Sequence, residues 1–334
     1  MNIYDVAKMS GVSIATVSRV VNGSDKVSDR TKQKVLAVME ECGYTPNVFA
    51  RGLGLDSMKT IGILCPDISD AFIAQAVAFL ENRLHKYGYD CILGCSGYDT
   101  EAKKVHMERL LSKRIDALIL VGSTYAGHGK DDNNLSYIYE AAQKTPVFLI
   151  NGLIEGENIY CCYGDDFQAV YDVTSELICR GKKRILFLCD SYSYSARKKL
   201  AGYEAALTDA GYPALNELKF YTKNRIHYVR DMLLEQKDLE FDSVVATDDC
   251  LAIGALKYAK IKGMRVPEDI CITGYNNSQL SVGCEPELTS VDNHLEKLCD
   301  NAIDNMLKVF QGEENVPAKT EIPCNLKKRC TTDF

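Results

Sequence analysis

The sequence of 334 residues contains no run of eighteen apolar residues, so no segment has the character of a membrane-spanning helix. Its first residues read as a folded helix rather than a signal peptide, and a cytoplasmic location is expected. The 14 cysteines include no paired C-x-x-C units, which leaves no framework for a structural metal. Cys65, Cys91, Cys189 and Cys271 lie in strand-like segments and Cys161-Cys162 in an apolar run, where reduced thiols act as small buried hydrophobes. The five histidines, His85, His106, His128, His227 and His294, are scattered; His128 falls in a polar loop, GHGKDD, that reads as surface. No G-x-G-x-x-G follows the first strand, and Walker A, H-E-x-x-H and G-x-S-x-G motifs are absent. Catalytic residues, metals and cofactors are therefore not expected.

A hydrophobic content of 46% supplies a sizeable core, and the length suits two or three globular units. The net charge of -7 argues at first against a polyanionic partner. That charge is uneven. The first 59 residues carry eight basic and six acidic side chains, a net of +2, so the remainder carries -9.

The chain starts with two short helical patterns. Ile3, Val6 and Ala7 recur at helical spacing and Gly11 interrupts them. Ser13 then occupies an N-cap position before a second stripe, Ile14, Val17, Val20 and Val21, which ends at Asn22-Gly23. Two short helices joined by a glycine turn outline a helix-turn-helix, with the polar residues of the second helix facing outward. Ser28 is placed to cap a third helix through Val35, Leu36, Val38 and Met39, closing at Cys42-Gly43-Tyr44. In the next stretch, TPNVFARGLGLDSMKT, Thr45-Pro46 starts a helix that Gly52 and Gly54 undercut.

From Thr60 the pattern changes to short apolar runs separated by amphipathic stretches: IGILCP, YDCILGCS, DALILVG, VFLING, RILFLCD, SVVATDD and ICITGYNN. Such runs mark parallel sheets covered on both faces. LHKYGYD and LTDAGYP echo one another, which points to two similar α/β lobes with a boundary near Cys161-Cys162-Tyr163. Open parallel sheets bind ligands beyond the carboxyl ends of their strands.

The stretch YDVAKMSGVSIATVSRVVNG, with VSDRTKQKVLAVMEECGYTPNVFARGL after it, resembles the headpiece of the lactose-repressor/galactose-repressor (LacI/GalR) family of bacterial transcription regulators. IGILCPDIS, SARKKLAGYEAAL, VVATDDCLAIGAL, VPEDICITGYNN and LTSVD carry the likeness across nearly the whole chain. The resemblance implies a helix-turn-helix headpiece (1–45), a hinge that is helical on DNA (46–59) and a body similar to periplasmic binding proteins (60–334). In that body the first lobe covers roughly 60–161 and 292–320, and the second roughly 162–291 and 321–334. It implies a homodimer on double-stranded operator DNA, controlled by a small effector, often a sugar. The chain shows no leucine-heptad tail after NLKKRCTTDF, so a dimer rather than a tetramer is expected.

By resemblance, Ile14, Ala15 and Arg19 read bases, Tyr4, Ser13, Thr16 and Ser18 contact the DNA backbone, and Asn22 is a further DNA-binding residue. Arg suits a guanine edge, whereas Ile14 and Ala15 offer only apolar contact or close fit. Leu53 is the residue that wedges into the minor groove, with Asn47, Ala50 and Arg51 nearby. The implied effector residues are Asp67, Ser69, Asp70, Phe72, Asp165, Tyr192, Arg197, Thr247, Asp248 and Asn276. The chain departs from the family pattern at Thr247 (usually Asn), Asn276-Asn277 (often Asp-Asp), Asp70-Ala71-Phe72 (commonly N-P-F) and Ala169 (usually Gly). An unusual glycoside or a non-sugar metabolite stays open as effector. Two other readings stay open as well: an α/β enzyme with an appended DNA-binding head, and a ligand-independent DNA-binding factor.

Overall fold

The computed structural model describes residues 2–21, 24–44, 57–127 and 134–334. Asn22, Asn47, Ala50, Arg51, Leu53 and His128 lie outside the described residues. The chain divides into two compact units, Met1–Thr60 and Ile61–Phe334.

In the first unit, α1 (Ile3–Ser10) opens with a capping box: the Asn2 side chain accepts from the Tyr4 and Asp5 N–H groups, and Asp5 accepts from the Asn2 N–H. It ends at Gly11, whose φ of 62° is a conformation that glycine adopts without strain. α2 (Ile14–Val21) starts where Ser13 Oγ accepts the Thr16 N–H at 3.2 Å. α3 (Asp29–Glu41) is capped by Ser28 and closes as Tyr44 donates to the Met39 carbonyl at 2.9 Å. Val6, Ala7, Val17, Val20 and Val35 form the buried centre. Leu36, expected on the inner stripe, is 40% exposed, because the inner face of α3 runs through Val35, Val38 and Met39.

The second unit holds two six-stranded sheets. The first half of the chain supplies β1 (Thr60–Cys65), α4 (Ala71–Lys86), β2 (Asp90–Cys95), α5 (Thr100–Leu111), β3 (Ala117–Val121), α6 (Ser136–Ala142), β4 (Val147–Ile150) and β5 (Ile159–Gly164). Next come α7 (Asp166–Cys179), β6 (Ile185–Cys189), α8 (Tyr194–Asp209), β7 (Lys219–Tyr221), α9 (Ile226–Glu235), β8 (Ser243–Ala246), α10 (Asp249–Ile261) and β9 (Cys271–Tyr275). The chain finishes with α11 (Gln279–Gly283), β10 (Thr289–Asp292), α12 (Leu295–Phe310), β11 (Lys319–Ile322) and β12 (Asn325–Lys327).

The sheet orders are β11-β5-β4-β3-β1-β2 and β12-β10-β9-β8-β6-β7. Strand pairing is parallel in both sheets at β1–β3, β3–β4, β4–β5, β5–β11, β6–β7, β6–β8, β8–β9 and β9–β10, and antiparallel at β10–β12. Each sheet has an apolar cluster on both faces, which is why strands such as ALILV and ILFLC are buried at every position. Alternation along β5 sends the adjacent Cys161 and Cys162 to opposite faces of the first sheet, and both are free thiols.

The chain crosses between lobes three times: after β5, after β10 and after β11. The sequence division needs a small correction. Residues 162–164 and 321–322 complete strands of the first sheet, and Asp292 closes β10 of the second. A strand buried on both faces offers no change of composition where the chain leaves it.

Candidate functional site

The headpiece presents one polar helix face. Val17 and Val20 turn inward, while Ser13, Ile14, Ala15 and Arg19 are exposed and Thr16 and Ser18 are half-buried. Ser13 Oγ and Thr16 Oγ1 are 2.9 Å apart, so the cap and the first helical turn hold each other. Tyr4 is 66% exposed on α1. A capped helix with an arginine and two small apolar side chains on its open face can enter a major groove and meet base edges.

The second unit contains a cleft of about 600 Å³ between its two lobes, within the size range of small-molecule sites. Its walls are strand ends and helix starts. Asp70 caps α4 by accepting the Ile73 N–H at 3.1 Å, Ser193 caps α8, and Asp248 caps α10 by accepting the Cys250 N–H at 2.8 Å. Each strand-to-helix turn thus places a polar side chain at the carboxyl end of a sheet, with a helix N-terminus behind it.

Side chains from both lobes meet here. Arg225 reaches Ser69 Oγ at 3.2 Å and Asp67 at 3.5 Å, Asn224 Nδ2 donates to Asp70 Oδ2 at 3.1 Å, and Ser123 donates to Ser193 at 2.8 Å. On the second lobe Asn276 Nδ2 donates to Asp248 Oδ2 at 2.8 Å, and Asn293 Nδ2 donates to Asn276 Oδ1 at 3.0 Å. Beneath the floor, Lys199 Nζ lies 3.5 Å from the centre of the Tyr275 ring and donates to the Thr247 carbonyl at 3.0 Å. The Tyr275 hydroxyl in turn donates to Asp166 at 2.6 Å.

The carboxyl groups fall into two kinds. Asp67 is held below its ordinary range by the Ser69 backbone N–H and hydroxyl, with Arg225 adding to the effect. Asp248 is pushed well up by burial first, then by the charges of Asp70, Asp249 and Asp190. Asp190 opens onto the cleft, yet the surrounding protein strips enough water to raise it; Lys199 opposes that rise and Asp70 adds to it. Burial also pushes the Tyr98 hydroxyl up to about 12, assisted by Asp70, Asp67 and Asp190. The cleft is a pocket of competing negative charges.

Of the residues that the family likeness implies, Asp67, Asp70, Phe72, Thr247, Asp248 and Asn276 line this cleft. Four others stand elsewhere. Ser69 sits at the rim, orienting Asp67 and receiving Arg225. Asp165 caps α7 through the Gln168 N–H. Tyr192 stacks on Tyr221 with ring centres 4.3 Å apart, so one of its faces is already covered. Arg197 is exposed and holds the Tyr192 carbonyl at 2.7 Å and the Ala126 carbonyl at 3.4 Å.

The cation under the cleft is Lys199, two positions along the helix and therefore on nearly the opposite face. Sequence reasoning also misses Tyr98, Asp190, Asn224, Arg225 and Tyr228 in the lining. Asp190 is signalled by its place at the end of β6, the position that marks Asp67 after β1 and Asp248 after β8. Asn224 and Arg225 follow β7, a three-residue strand with no apolar run to announce it.

Known proteins match both units of the chain. Residues 2–47 match "Bacterial regulatory proteins, lacI family", and residues 58–330 match "Periplasmic binding proteins and sugar binding domain of LacI family". An HTH-type transcriptional regulator of Lachnoclostridium phytofermentans is 51% identical over 100% of both chains. Catabolite control protein A of Priestia megaterium is 31% identical over 99% of both. A structure of the lac repressor dimer bound to operator and the anti-inducer ONPF superposes with a TM-score of 0.88 at 25% identity, covering 99% of each chain. A complex of the transcriptional regulator CelR with cellobiose gives a TM-score of 0.70, also at 25% identity and 99% coverage of each chain. With a headpiece match and a body match in sequence order along one chain, the protein belongs to the LacI family of bacterial regulatory proteins.

Proposed function

We propose that this chain is a ligand-controlled transcription regulator that binds operator DNA as a homodimer and responds to a small polar metabolite held in the interlobe cleft. One observation carries the reading: a single chain joins an exposed, capped recognition face at Ile14, Ala15 and Arg19 to a 600 Å³ cleft walled by polar groups from two lobes. Relatives solved as an operator-bound dimer and as a cellobiose complex support both halves. Double-stranded DNA as partner implies work in the bacterial cytoplasm.

Control acts by differential binding. A metabolite that prefers one lobe arrangement shifts the population toward it, whereas equal affinity for both shifts nothing. The Asp67–Arg225 and Asp70–Asn224 contacts bridge the lobes, so a ligand that competes for these groups acts directly on the arrangement. The segment between headpiece and body, with Leu53 as the proposed minor-groove wedge, relays that change to DNA.

The test is selection of operators from randomised duplexes, followed by fluorescence anisotropy with and without metabolites that bind the protein. A recovered near-palindromic site whose affinity changes at least tenfold with a cleft ligand is the expected result. Absence of any preferred sequence, or an affinity unmoved by every bound metabolite, defeats the proposal.

A further inference from the structure

Among the described residues, the fully buried side-chain atoms of the cleft that lack a hydrogen-bond partner are oxygens. Thr124 Oγ1 and Asn224 Oδ1 are buried without a partner, Thr247 Oγ1 is buried beside the Cys189 thiol with acceptor capacity to spare, and all three residues line the cleft. Thr247 is only 5% exposed. The orientation of the Asn224 amide is fixed, because its Nδ2 is committed to the Asp70 carboxylate; the oxygen left over can only accept. A buried acceptor with no donor is costly, so Asn224 Oδ1 calls for an N–H or O–H group of the ligand, while the two threonine hydroxyls can accept from it or donate to it.

Charge narrows the choice. Asp67, Asp70, Asp190 and Asp248 line the cleft together with Lys199, Lys223 and Arg225. Arg225 is engaged by Asp67, Lys199 by the Tyr275 ring and the Thr247 carbonyl, and Lys223 by the Tyr228 ring, 4.7 Å from its centre. Among the described residues no lysine or arginine forms an ion pair with Asp70, Asp190 or Asp248. Neutral hydroxyls satisfy acceptors but leave the excess of carboxyl groups, four against three cations, without a counter-charge. An ammonium carries three donors, no acceptor and the missing positive charge.

We propose that the cleft is built for a polyhydroxylated primary amine of mono- or disaccharide size, such as an amino sugar, with its ammonium held among Asp70, Asp190 and Asp248 and its remaining donors on Thr124, Asn224 and Thr247. This rests on the cleft being the effector site. Phe72, also in the lining, gives the ligand ring an apolar surface to cover.

The test is calorimetry on the full chain with matched probes: glucosamine against glucose, galactosamine against galactose, and the deacetylated chitosan disaccharide against cellobiose. At least one amine binds tenfold or more tightly than its neutral twin, and Asp190→Asn reduces that ratio at least fivefold. A melting curve of Asp190→Asn confirms that the variant is folded, and the wild-type comparison stands without it. Neutral twins binding as tightly as the amines, no amine binding at all, or an amine preference untouched by Asp190→Asn overturns the proposal. Operator binding separates this from the wider reading. If a neutral sugar binds as tightly as its amine and shifts operator affinity, the regulator stands and the amine falls. If an amine binds with the expected preference but leaves operator affinity unchanged, the amine site stands and effector control through the cleft falls.

Discussion

Asp190 gives the cleft a pH signature. Its folded pKa lies above the unfolded value, so the folded protein holds more protons than the unfolded chain in the window above the ordinary carboxylate range. The stability this contributes is full below the unfolded pKa and is lost as pH rises through the folded one. Asp190→Asn, which never ionises, is therefore expected to gain on wild type as pH rises, with the gap closing toward pH 4. Urea denaturation of both proteins at pH 4.5 and pH 8 checks it, and a gap that shrinks with pH contradicts the placement of Asp190. At the DNA face, Arg19→Ala should cost about 1–3 kcal/mol on the preferred operator and flatten discrimination at one base position per half-site. An unchanged sequence logo from selection with the variant removes Arg19 from base reading. The thiols test the reduced-core reading: Cys95, Cys179 and Cys330 are exposed, while Cys65, Cys161, Cys162, Cys189, Cys271 and Cys299 are buried. Mass spectrometry after a short iodoacetamide pulse should find label on the first group and none on the second until denaturant is added.

Among the elements, the pair α7 and α8 shows a packing constraint that local propensity contradicts. A Cβ on Gly202 in α8 would stand 2.2 Å from the Phe167 carbonyl oxygen of α7, and backbone cannot step aside as a flexible side chain can. Alanine is the better helix former by about 1 kcal/mol, yet overpacking at such a contact costs about 3 kcal/mol. Gly202→Ala should then destabilise the body by about 2 kcal/mol in chemical denaturation; a stabilised variant means that the helices do not meet there. Elements with strong local chemistry were legible in the sequence. Ser13 and the stripe Ile14, Val17, Val20 and Val21 mark α2, and the runs IGILCP and DALILVG mark β1 and β3. β7 and β12 were not, being three-residue strands that lack a continuous apolar run. The cleft was legible where a residue ends a strand, as Asp67 and Asp248 do. Lys199 escapes sequence reasoning because lysine is seldom buried, although the inward stripe Ala196, Lys199, Tyr203 and Leu207 has the helical spacing that places it inside.

For the whole molecule, charge distribution outweighs net charge. The body carries the acidic excess, while the first 59 residues are net +2, so operator binding should weaken steeply with salt in spite of the total of -7. Log affinity against log salt concentration is expected to fall on a line of clearly negative slope, and a flat plot rules out phosphate contacts. The three crossings between lobes bear on how the protein is made. The first sheet is finished only by β11, which pairs with β5, and α12 covers it by placing Leu298, Cys299, Ala302, Ile303 and Met306 against Phe148 and Cys162. During synthesis the first lobe therefore emerges well before the segments that complete it, with an apolar face open until α12 has emerged and β5 an unpaired edge until about residue 322 leaves the ribosome. Translation order and folding order run against each other here. Chains interrupted between β10 and β11 should be the species that chaperones hold and proteases clear.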